Sequence, residues 1–312
     1  MNEWHASYRS DMADVFHTAN ALIRRYPSPL RERAEAYMNR FDPLMKESTK
    51  NYICYLLPFW VEDAAGIERE QCRSLSVANV FVMLYFFIQD DLMDCQPEDW
   101  KHQLALGNLF QTTYTEVFRS LFPSDSPFWH YYRQYVEEWA LRVTSAHERN
   151  CFEHAPASLA GKASPVKLAS TGAMLLGHKE TRVAEVSDLI DQVLATLQMV
   201  DDWMDWEDDL REGSDNSFID MVRLQQQMSM QDDVTAELVN RCIFTTDALS
   251  RFARYAADQH ASVRSHPSAF AHLQSFHQSL VDHLEDACRS VAATKSSLLQ
   301  GGFVHYLART LS

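Results

Sequence analysis

Two short segments of the chain repeat the same spacing of aspartates. The first is DDLMD, with Asp90, Asp91 and Asp94, and the second is DDWMD, with Asp201, Asp202 and Asp205. Residues four apart lie on one face of a helix, so the first and last aspartate of each segment can hold one cation together. Carboxylate oxygens are hard ligands that select Mg²⁺ or Mn²⁺ over zinc. The spacing therefore predicts two places that chelate a divalent cation.

The first motif ends a strongly apolar stretch. Residues 75–88 read LSVANVFVMLYFFI, which is typical of a helix buried in the centre of a domain, and Pro97 marks its carboxyl end. Acids at that end of a helix are disfavoured unless a positive charge compensates them. Taken alone, such a motif is more often a solvated acidic helix end than a cation site.

The second motif is richer in acids, with six among the nine residues from Asp201 to Asp209. Asp201, Asp205 and Asp209 share one helix face, and the interleaved Trp203 and Trp206 predict that another face packs against protein. Two acidic ends of apolar helices are less expected by chance than one. We therefore predict that the motifs face each other and hold a diphosphate through Mg²⁺, with an apolar tail between the helices.

The elements that position these motifs are predicted to be helices. Apolar residues recur at three- and four-residue spacing almost from end to end, and the chain has only 8 Gly and 10 Pro. Breaks at prolines such as Pro58 and at Gly213 divide the pattern. Ser28 before Pro29 and Ser126 before Pro127 predict capped helix starts. We predict a single all-α domain over residues 1–312, a bundle of roughly ten or more helices around a central apolar cavity.

Composition excludes several classes of protein. The net charge is -15 and no run of Lys and Arg is present, which excludes nucleic acid as a partner. Six scattered cysteines without a CxxC pair predict reduced thiols. The amino terminus lacks a signal pattern and the apolar run of residues 80–88 is too short to span a bilayer, which predicts a cytoplasmic protein. HExxH, GxSxG and GxGxxG motifs are absent from the sequence.

Residues 78–217 resemble the class I isoprenoid synthases, all-helical enzymes that include trans-prenyltransferases and terpene cyclases. The resemblance lies in FFIQDDLMD, GKASPVKLASTGAMLLGHKE and LATLQMVDDWMDWEDDLREG. In the prenyltransferases a diphosphate-binding Lys precedes a Gly-Ala pair and an FQxxDDxxD motif. Lys162 matches that Lys best, Lys167 is a rival, and Gln198 matches the Gln. The second motif is also similar to the cyclase pattern DDxxSxxxE, in which Asp201, Asp205 and Asp209 would be the chelating residues.

The resemblance implies the roles of the site residues. Asp90, Asp94 and Asp201 would be catalytic, and three Mg²⁺ ions, with Mn²⁺ as an alternative, would be held by Asp90, Asp91, Asp94, Asp201, Asp205 and Asp209. The diphosphate would be bound by Lys162 and by Arg309 near the carboxyl terminus. The substrate cavity would be lined by Val82, Tyr85, Phe86, Phe87, Leu194, Leu197 and Gln198. Many relatives are homodimers, so a homodimer is an assembly that the resemblance implies.

Departures from the family pattern bear on the reaction. Chain-elongating prenyltransferases carry an Arg-Arg pair after the first motif and an upstream Gly-Lys-Arg segment, whereas here the first motif is followed by CQPEDWKHQ and no GKR occurs. This favours a terpene synthase, a lyase that ionises one allylic diphosphate and then cyclises or eliminates. Phe86, Phe87 and Trp203 would face the carbocation, and Tyr85 and Phe86 would limit the substrate to ten or fifteen carbons. The alternatives are a trans-prenyltransferase that uses isopentenyl diphosphate or another acceptor, and a catalytically silent helical scaffold.

Overall fold

The computed structural model describes residues 7–94, 97–144, 157–229 and 232–298. This part of the chain is helical and contains no strand, which confirms the all-α prediction. The α-helices are α1 (Arg9–Ile23), α2 (Leu30–Asn39), α3 (Tyr52–Trp60), α4 (Glu62–Ala65), α5 (Arg69–Asp94), α6 (Trp100–Leu121), α7 (Phe128–Thr144), α8 (Ala157–Ala160), α9 (Lys167–Leu176), α10 (Val183–Glu212), α11 (Ser217–Gln225), α12 (Ala236–Thr245), α13 (Ala248–Arg264) and α14 (Ala271–Ser297). Short 3₁₀ helices span Gly161–Val166, Glu180–Arg182 and Ser268–Phe270.

The chain divides into two compact units. The first unit comprises Met1–Ala140, Ala163–Ile190 and Pro267–Leu273, and the second comprises Leu141–Lys162, Asp191–His266 and Gln274–Ser312. The boundaries fall inside α7 and α10 and near the start of α14, so each of these helices contributes to both units. A single domain over residues 1–312 stays a prediction.

Helix α5 forms the centre of the first unit. It contacts α1, α3, α6 and α9. Its apolar residues are buried on nearly every side, among them Val80, Phe81, Val82 and Leu84. The helix ends at Asp94, so the first acidic motif occupies its last turn, as the apolar pattern predicts.

Pro58 does not end a helix, in contrast to the prediction. It lies inside α3, where it cannot donate the hydrogen bond that a helical residue gives to the carbonyl oxygen four residues earlier. That oxygen, on Cys54, instead accepts a hydrogen bond from Asn79 Nδ2 at 2.8 Å. The next carbonyl, on Tyr55, accepts one from Ser76 Oγ at 2.6 Å. Helix α5 thus supplies the polar partners that let α3 continue through a proline.

The two predicted serine caps have different outcomes. Helix α2 begins at Leu30, and Pro29 rather than Ser28 occupies its N-cap position, so that prediction is wrong by one residue. Helix α7 begins at Phe128, whose backbone N–H donates to Ser126 Oγ at 3.3 Å. Ser126 therefore helps to cap α7.

One described helix is long and apolar enough to cross a membrane, judged by length and composition alone. It runs from Arg69 to Met93, well beyond the apolar run of residues 80–88. However, 72% of its most apolar window is buried inside the protein. This degree of burial is the one expected of a helix in the core of a protein.

The second half of α10 belongs to the second unit and carries the second acidic motif. Helix α11 contacts both α12 and α13. Phe218 at the start of α11 lies edge-on to Trp203 of α10, with ring centroids 4.9 Å apart, and 5.3 Å from Phe252 of α13. This aromatic contact attaches the second acidic motif to the core of its unit.

Candidate functional site

Helix α10 presents the acids of the second motif on different sides. Asp201 and Asp205 are exposed and Asp209 is partly buried. By contrast, Asp202 is only 4% exposed and Trp206 only 7%. The three aspartates predicted as cation ligands therefore reach solvent, while Asp202 and Trp206, four residues apart, form the buried face.

Asp202 anchors the motif instead of reaching outward. Its carboxylate accepts hydrogen bonds from the backbone N–H of Ser217 at 2.8 Å and from the Ser217 hydroxyl. The amide of Gln198 donates to the other oxygen at 2.7 Å. Gln198, predicted to line the cavity, is thus engaged in holding Asp202, and the loop before α11 is tied to α10.

Asn216 forms a second connection between this loop and the motif. Its Nδ2 donates to the backbone oxygen of Asp202 and to Asp209 Oδ2, each at 2.7 Å. Its Oδ1 accepts from the backbone N–H groups of Phe218 and Ile219 and so caps α11. The sequence pattern did not identify Asn216, because its partners depend on how the loop folds back.

Burial and mutual repulsion raise the pKa values of these carboxyls. Although the Asp201 side chain reaches solvent, desolvation by the surrounding protein, together with the charges of Asp202 and Asp205, raises its pKa to about 7. Burial also raises the pKa of Asp209, against the opposing effects of the Asn216 hydrogen bond and of Lys162. The positive charge of Lys162 acts on Asp202 in the same direction. Lys162 therefore lies near enough to the motif to favour negative charge there.

The first motif occupies the last turn of α5, in the first unit. Asp90 is partly buried and Asp91 is exposed, and the hydroxyl of Tyr37 donates to Asp91 Oδ2 at 3.3 Å. The guanidinium of Arg40 lies 5.1 Å from the centre of the Tyr37 ring. The side chain of Asp94 lies outside the described part of the structure. Because the two motifs belong to different units, their facing each other stays a prediction.

The predicted cavity residues of the first unit lie among other aromatic side chains. Phe86, one turn before Asp90, contacts Trp139 with ring centroids 4.8 Å apart. Tyr85 lies 5.9 Å from Tyr114, and Phe87 lies 5.2 Å from Phe41. The remaining predicted residues are buried or partly buried, namely Val82 in the first unit and Leu194 and Leu197 in the second. Arg309 lies outside the described residues.

The donor set fits a hard divalent cation. Among the described side chains, no three His, Cys, Asp or Glu groups come together closely enough to hold a metal ion. Within the second motif this agrees with helix geometry, because Asp201 and Asp209 are separated by about 12 Å along the axis. Adjacent pairs on this face can chelate, and an anionic ligand would have to supply further oxygens.

Comparisons with solved structures show that the fold of this chain is similar to that of known proteins. The crystal structure of geranylgeranyl pyrophosphate synthase from Lactobacillus brevis matches with a TM-score of 0.65, at 14% sequence identity, over 89% of this chain and 97% of that chain. A polyprenyl synthase from Caulobacter crescentus, complexed with calcium and isoprenyl diphosphate, matches with a TM-score of 0.67, at 14% identity, over 91% of this chain and 96% of that chain. The chain has the class I isoprenoid synthase fold. No protein-family model and no curated protein sequence matches it.

The ammonium group of Lys167 is paired with another side chain of the first unit. This rival candidate for the diphosphate-binding Lys is only 3% exposed, and its Nζ lies 2.9 Å from Glu138 Oε2. The same Nζ lies 4.6 Å from the centre of the Tyr135 ring. Because the Lys167 ammonium group is buried, separating it from Glu138 would be costly. Lys167 therefore has a structural partner, and Lys162 is the better candidate.

Arg142, at the end of α7, is a candidate that the sequence pattern missed. Its side chain is 19% exposed, and Asp215 Oδ2 lies 3.8 Å from Nη1. Its Nε is buried and makes no hydrogen bond within the described part of the chain. The aliphatic part of the side chain packs on Gly161, where an added Cβ would lie 3.0 Å from Arg142 Cβ. A buried guanidinium nitrogen without a partner is costly, so the Arg142 side chain is suited to a further anion.

A groove of about 860 Å³ in the first unit is not the site predicted from the motifs. Its lining includes Arg119, Phe122 and Trp129. Gly172 touches both Phe122 and Leu75, which places this end of α6 beside the first part of α5. Asp90 lies fifteen residues further along α5, or about 22 Å away at the rise of an α-helix. The groove is therefore remote from the first acidic motif.

Proposed function

We propose that the chain is a Mg²⁺-dependent enzyme that ionises an allylic prenyl diphosphate. The observation that carries the proposal is that the acids of the second motif lie in two different environments. Asp201, Asp205 and Asp209 reach solvent from one helix, while Asp202 is committed to the loop before α11. A merely solvated acidic helix end would not explain the buried network that holds this carboxylate face in place. The isoprenoid synthase fold adds independent support.

The proposed roles follow from charge and position. Asp90, Asp91 and Asp94 of the first motif, and Asp201, Asp205 and Asp209 of the second, would bind Mg²⁺, or Mn²⁺ in its place. Lys162 and Arg142 would donate to diphosphate oxygens, because both cationic side chains belong to the unit that carries the second motif. Bound Mg²⁺ would neutralise the charge that develops on the diphosphate as the carbon–oxygen bond breaks.

The first candidate for the fate of the carbocation is transfer to a second substrate. The two solved structures described above are named as prenyl synthases, and one is complexed with isoprenyl diphosphate. This supports joining a prenyl group to isopentenyl diphosphate or to another acceptor. At 14% identity the similarity reaches the fold and does not fix the acceptor.

The second candidate is cyclisation or elimination of a single substrate. A specific sequence observation favours it, since the segment CQPEDWKHQ after the first motif lacks an Arg pair and no Gly-Lys-Arg segment occurs upstream. A second diphosphate needs clustered cationic side chains. Without them, an internal double bond of the same prenyl chain or loss of a proton would end the reaction.

The aromatic side chains near Asp90 bear on the length of the prenyl tail. Phe86 and Trp139 pack together one turn before the first motif, with Tyr85 beside them. Bulky rings at this depth would stop an extended tail early. The proposal therefore includes a substrate of ten or fifteen carbons.

Product analysis tests the proposal and separates its two candidates. The purified chain would be incubated with Mg²⁺ and geranyl, farnesyl or geranylgeranyl diphosphate, each with and without isopentenyl diphosphate, and products identified by gas chromatography and mass spectrometry. Longer prenyl alcohols that require isopentenyl diphosphate would establish transfer. A new hydrocarbon or terpene alcohol from one substrate would establish cyclisation or elimination. Absence of turnover with every substrate, together with no binding of Mg²⁺ and pyrophosphate, would support a silent scaffold.

A further inference from the structure

Among the described side chains around the second motif, that of Asn216 makes the most hydrogen bonds. It is buried, and its amide group makes four hydrogen bonds of 2.7–3.0 Å. Two run from Nδ2 to the motif, to the Asp202 carbonyl oxygen and to Asp209 Oδ2. The other two run to Oδ1 from the first turn of α11.

The backbone fixes which end of the amide faces Asp209. The N–H groups of Phe218 and Ile219 can only donate, so the oxygen of Asn216 has to lie toward α11. The NH₂ end is thereby directed to α10. The assignment of oxygen and nitrogen in this side chain is therefore determined by its partners on both sides.

The loop cannot easily shift and release Asp209. Ser217, next to Asn216, donates twice to the buried carboxylate of Asp202, which Gln198 holds from the other side. Asn216 and the first residue of α11 are thus both tied to α10, through Asp209 and Asp202, which are seven residues apart. The anchor at Asp202 holds the Asn216 amide in position against the second carboxylate.

Of the three acids on this face, Asp209 is the one that Asn216 contacts. One of its oxygens, Oδ2, already accepts a hydrogen bond from a neutral donor, which restrains rotation of the carboxylate and leaves Oδ1 as the oxygen for a cation. Outer partners of this kind orient metal ligands and change their affinity. A cap for α11 alone would require only the oxygen of Asn216, and the donation to Asp209 exceeds that need.

We propose that Asn216 is a positioning residue that orients Asp209 to bind a divalent cation through Oδ1 alone. The inference rests on the proposed function, because it assigns Asp209 to a cation site. In this role Asn216 touches neither substrate nor metal. It acts on binding through the carboxylate that it holds.

The test separates positioning from helix capping. Asn216→Ser keeps a good N-cap residue but is too short to reach Asp209, and Asn216→Asp keeps the cap and the size but places an oxygen against Asp209 Oδ2. Thr235→Ala is the matched control, because Thr235 Oγ1 caps α12 by accepting from Leu238 N at 3.2 Å. Affinity for Mg²⁺ would be measured by calorimetry with pyrophosphate present, beside thermal unfolding without ligand.

We expect both Asn216 variants to weaken Mg²⁺ binding by about ten- to one-hundredfold, the usual effect of losing an outer partner of a ligand. Thr235→Ala should lower the melting temperature without changing Mg²⁺ affinity. Wild-type affinity in either folded Asn216 variant would overturn the positioning role while leaving the proposed function intact. Failure of the wild-type chain to bind Mg²⁺ with pyrophosphate would instead refute the proposed function, and the positioning role with it.

Discussion

His277 should make the stability of the protein fall in mildly acidic solution. This histidine of α14 has no exposed surface, and its Nδ1 lies 2.8 Å from the Nδ1 of His260 on α13. Its Nε2 lies 2.8 Å from the hydroxyl oxygen of Thr196 on α10, which donates onward to the carbonyl oxygen of Gln192. Two neutral imidazole rings satisfy this series of hydrogen bonds, whereas a second proton on His277 would direct an N–H group at the ring of His260. Burial, with a smaller effect from the neighbouring His260, lowers the pKa of His277 to about 3.

The magnitude follows from the proton that only the unfolded chain binds. An exposed histidine has an ordinary pKa of about 6.5, so the contribution of His277 is fully present above that pH and is lost as the pH falls toward 3. Between pH 7.5 and pH 5 the unfolded chain gains nearly one proton that folded His277 refuses. The free energy of unfolding should therefore decrease by about 2 kcal/mol over this interval.

Other groups have the opposite pH dependence, so a variant has to isolate the effect. The pKa of Asp201 is raised to about 7, and protonation of this folded carboxyl adds stability as the pH falls. The comparison is therefore between wild type and His277→Gln, whose amide can still bond to both neighbours. His102, exposed on α6, supplies the control variant His102→Gln.

Urea unfolding followed by circular dichroism at pH 7.5 and pH 5 measures the difference. His277→Gln should lose about 2 kcal/mol less stability than wild type on going to pH 5. His102→Gln should follow the wild-type profile. Equal losses in wild type and His277→Gln would refute the inference that His277 is held neutral in the core.

Four further substitutions have expected outcomes. Gly177→Ala should destabilise the protein by about 3 kcal/mol or more, because the added Cβ would lie 2.0 Å from the Ala65 carbonyl oxygen. Gly213→Ala should cost only about 1 kcal/mol, because its one penalty is the positive φ of that residue. Denaturant unfolding measures both free energies. Arg142→Ala should weaken binding of pyrophosphate in the presence of Mg²⁺ by about tenfold or more, as measured by calorimetry. Phe86→Ala should admit longer prenyl diphosphates, measured as a shift in substrate preference.

Each of these predictions has a result that contradicts it. Equal stability of the two glycine variants would show that the backbone near residue 177 moves freely. Unchanged pyrophosphate affinity in Arg142→Ala would remove Arg142 from the site, and Arg211→Ala is its control because Arg211 pairs with exposed Asp208 in the same helix. An unchanged chain-length preference in Phe86→Ala would separate that ring from the substrate tail.

The sequence predicted the features that depend on helical periodicity. The apolar run before Asp90 correctly indicated a buried helix, and the spacing of Asp201, Asp205 and Asp209 indicated that these acids share one helix face. Both follow from the positions of side chains along one helix, which the sequence contains directly. The buried Trp206 likewise agrees with the expectation that this helix packs against protein.

Features that depend on contacts between distant segments could not be predicted from the sequence. The sequence predicted that Pro58 breaks a helix. The Asn79 side chain that satisfies the free carbonyl oxygen comes from another helix, so the local pattern does not contain it. Arg142 belongs to a different helix from the second motif and carries no local pattern. Asn216 reads only as a loop residue, and its role depends on a loop that folds back by hydrogen bonding to Asp202.

Release of pyrophosphate from farnesyl or geranyl diphosphate with Mg²⁺ tests the central claim most directly. The measurement would compare wild type, Asp201→Ala and Asp208→Ala, since the Asp208 side chain is 64% exposed and pairs with Arg211 instead of lying on the predicted ligand face. The account predicts Mg²⁺-dependent release by wild type and by Asp208→Ala, and its loss in Asp201→Ala. No release by wild type from either substrate, or release by Asp201→Ala at the wild-type rate, would contradict the account.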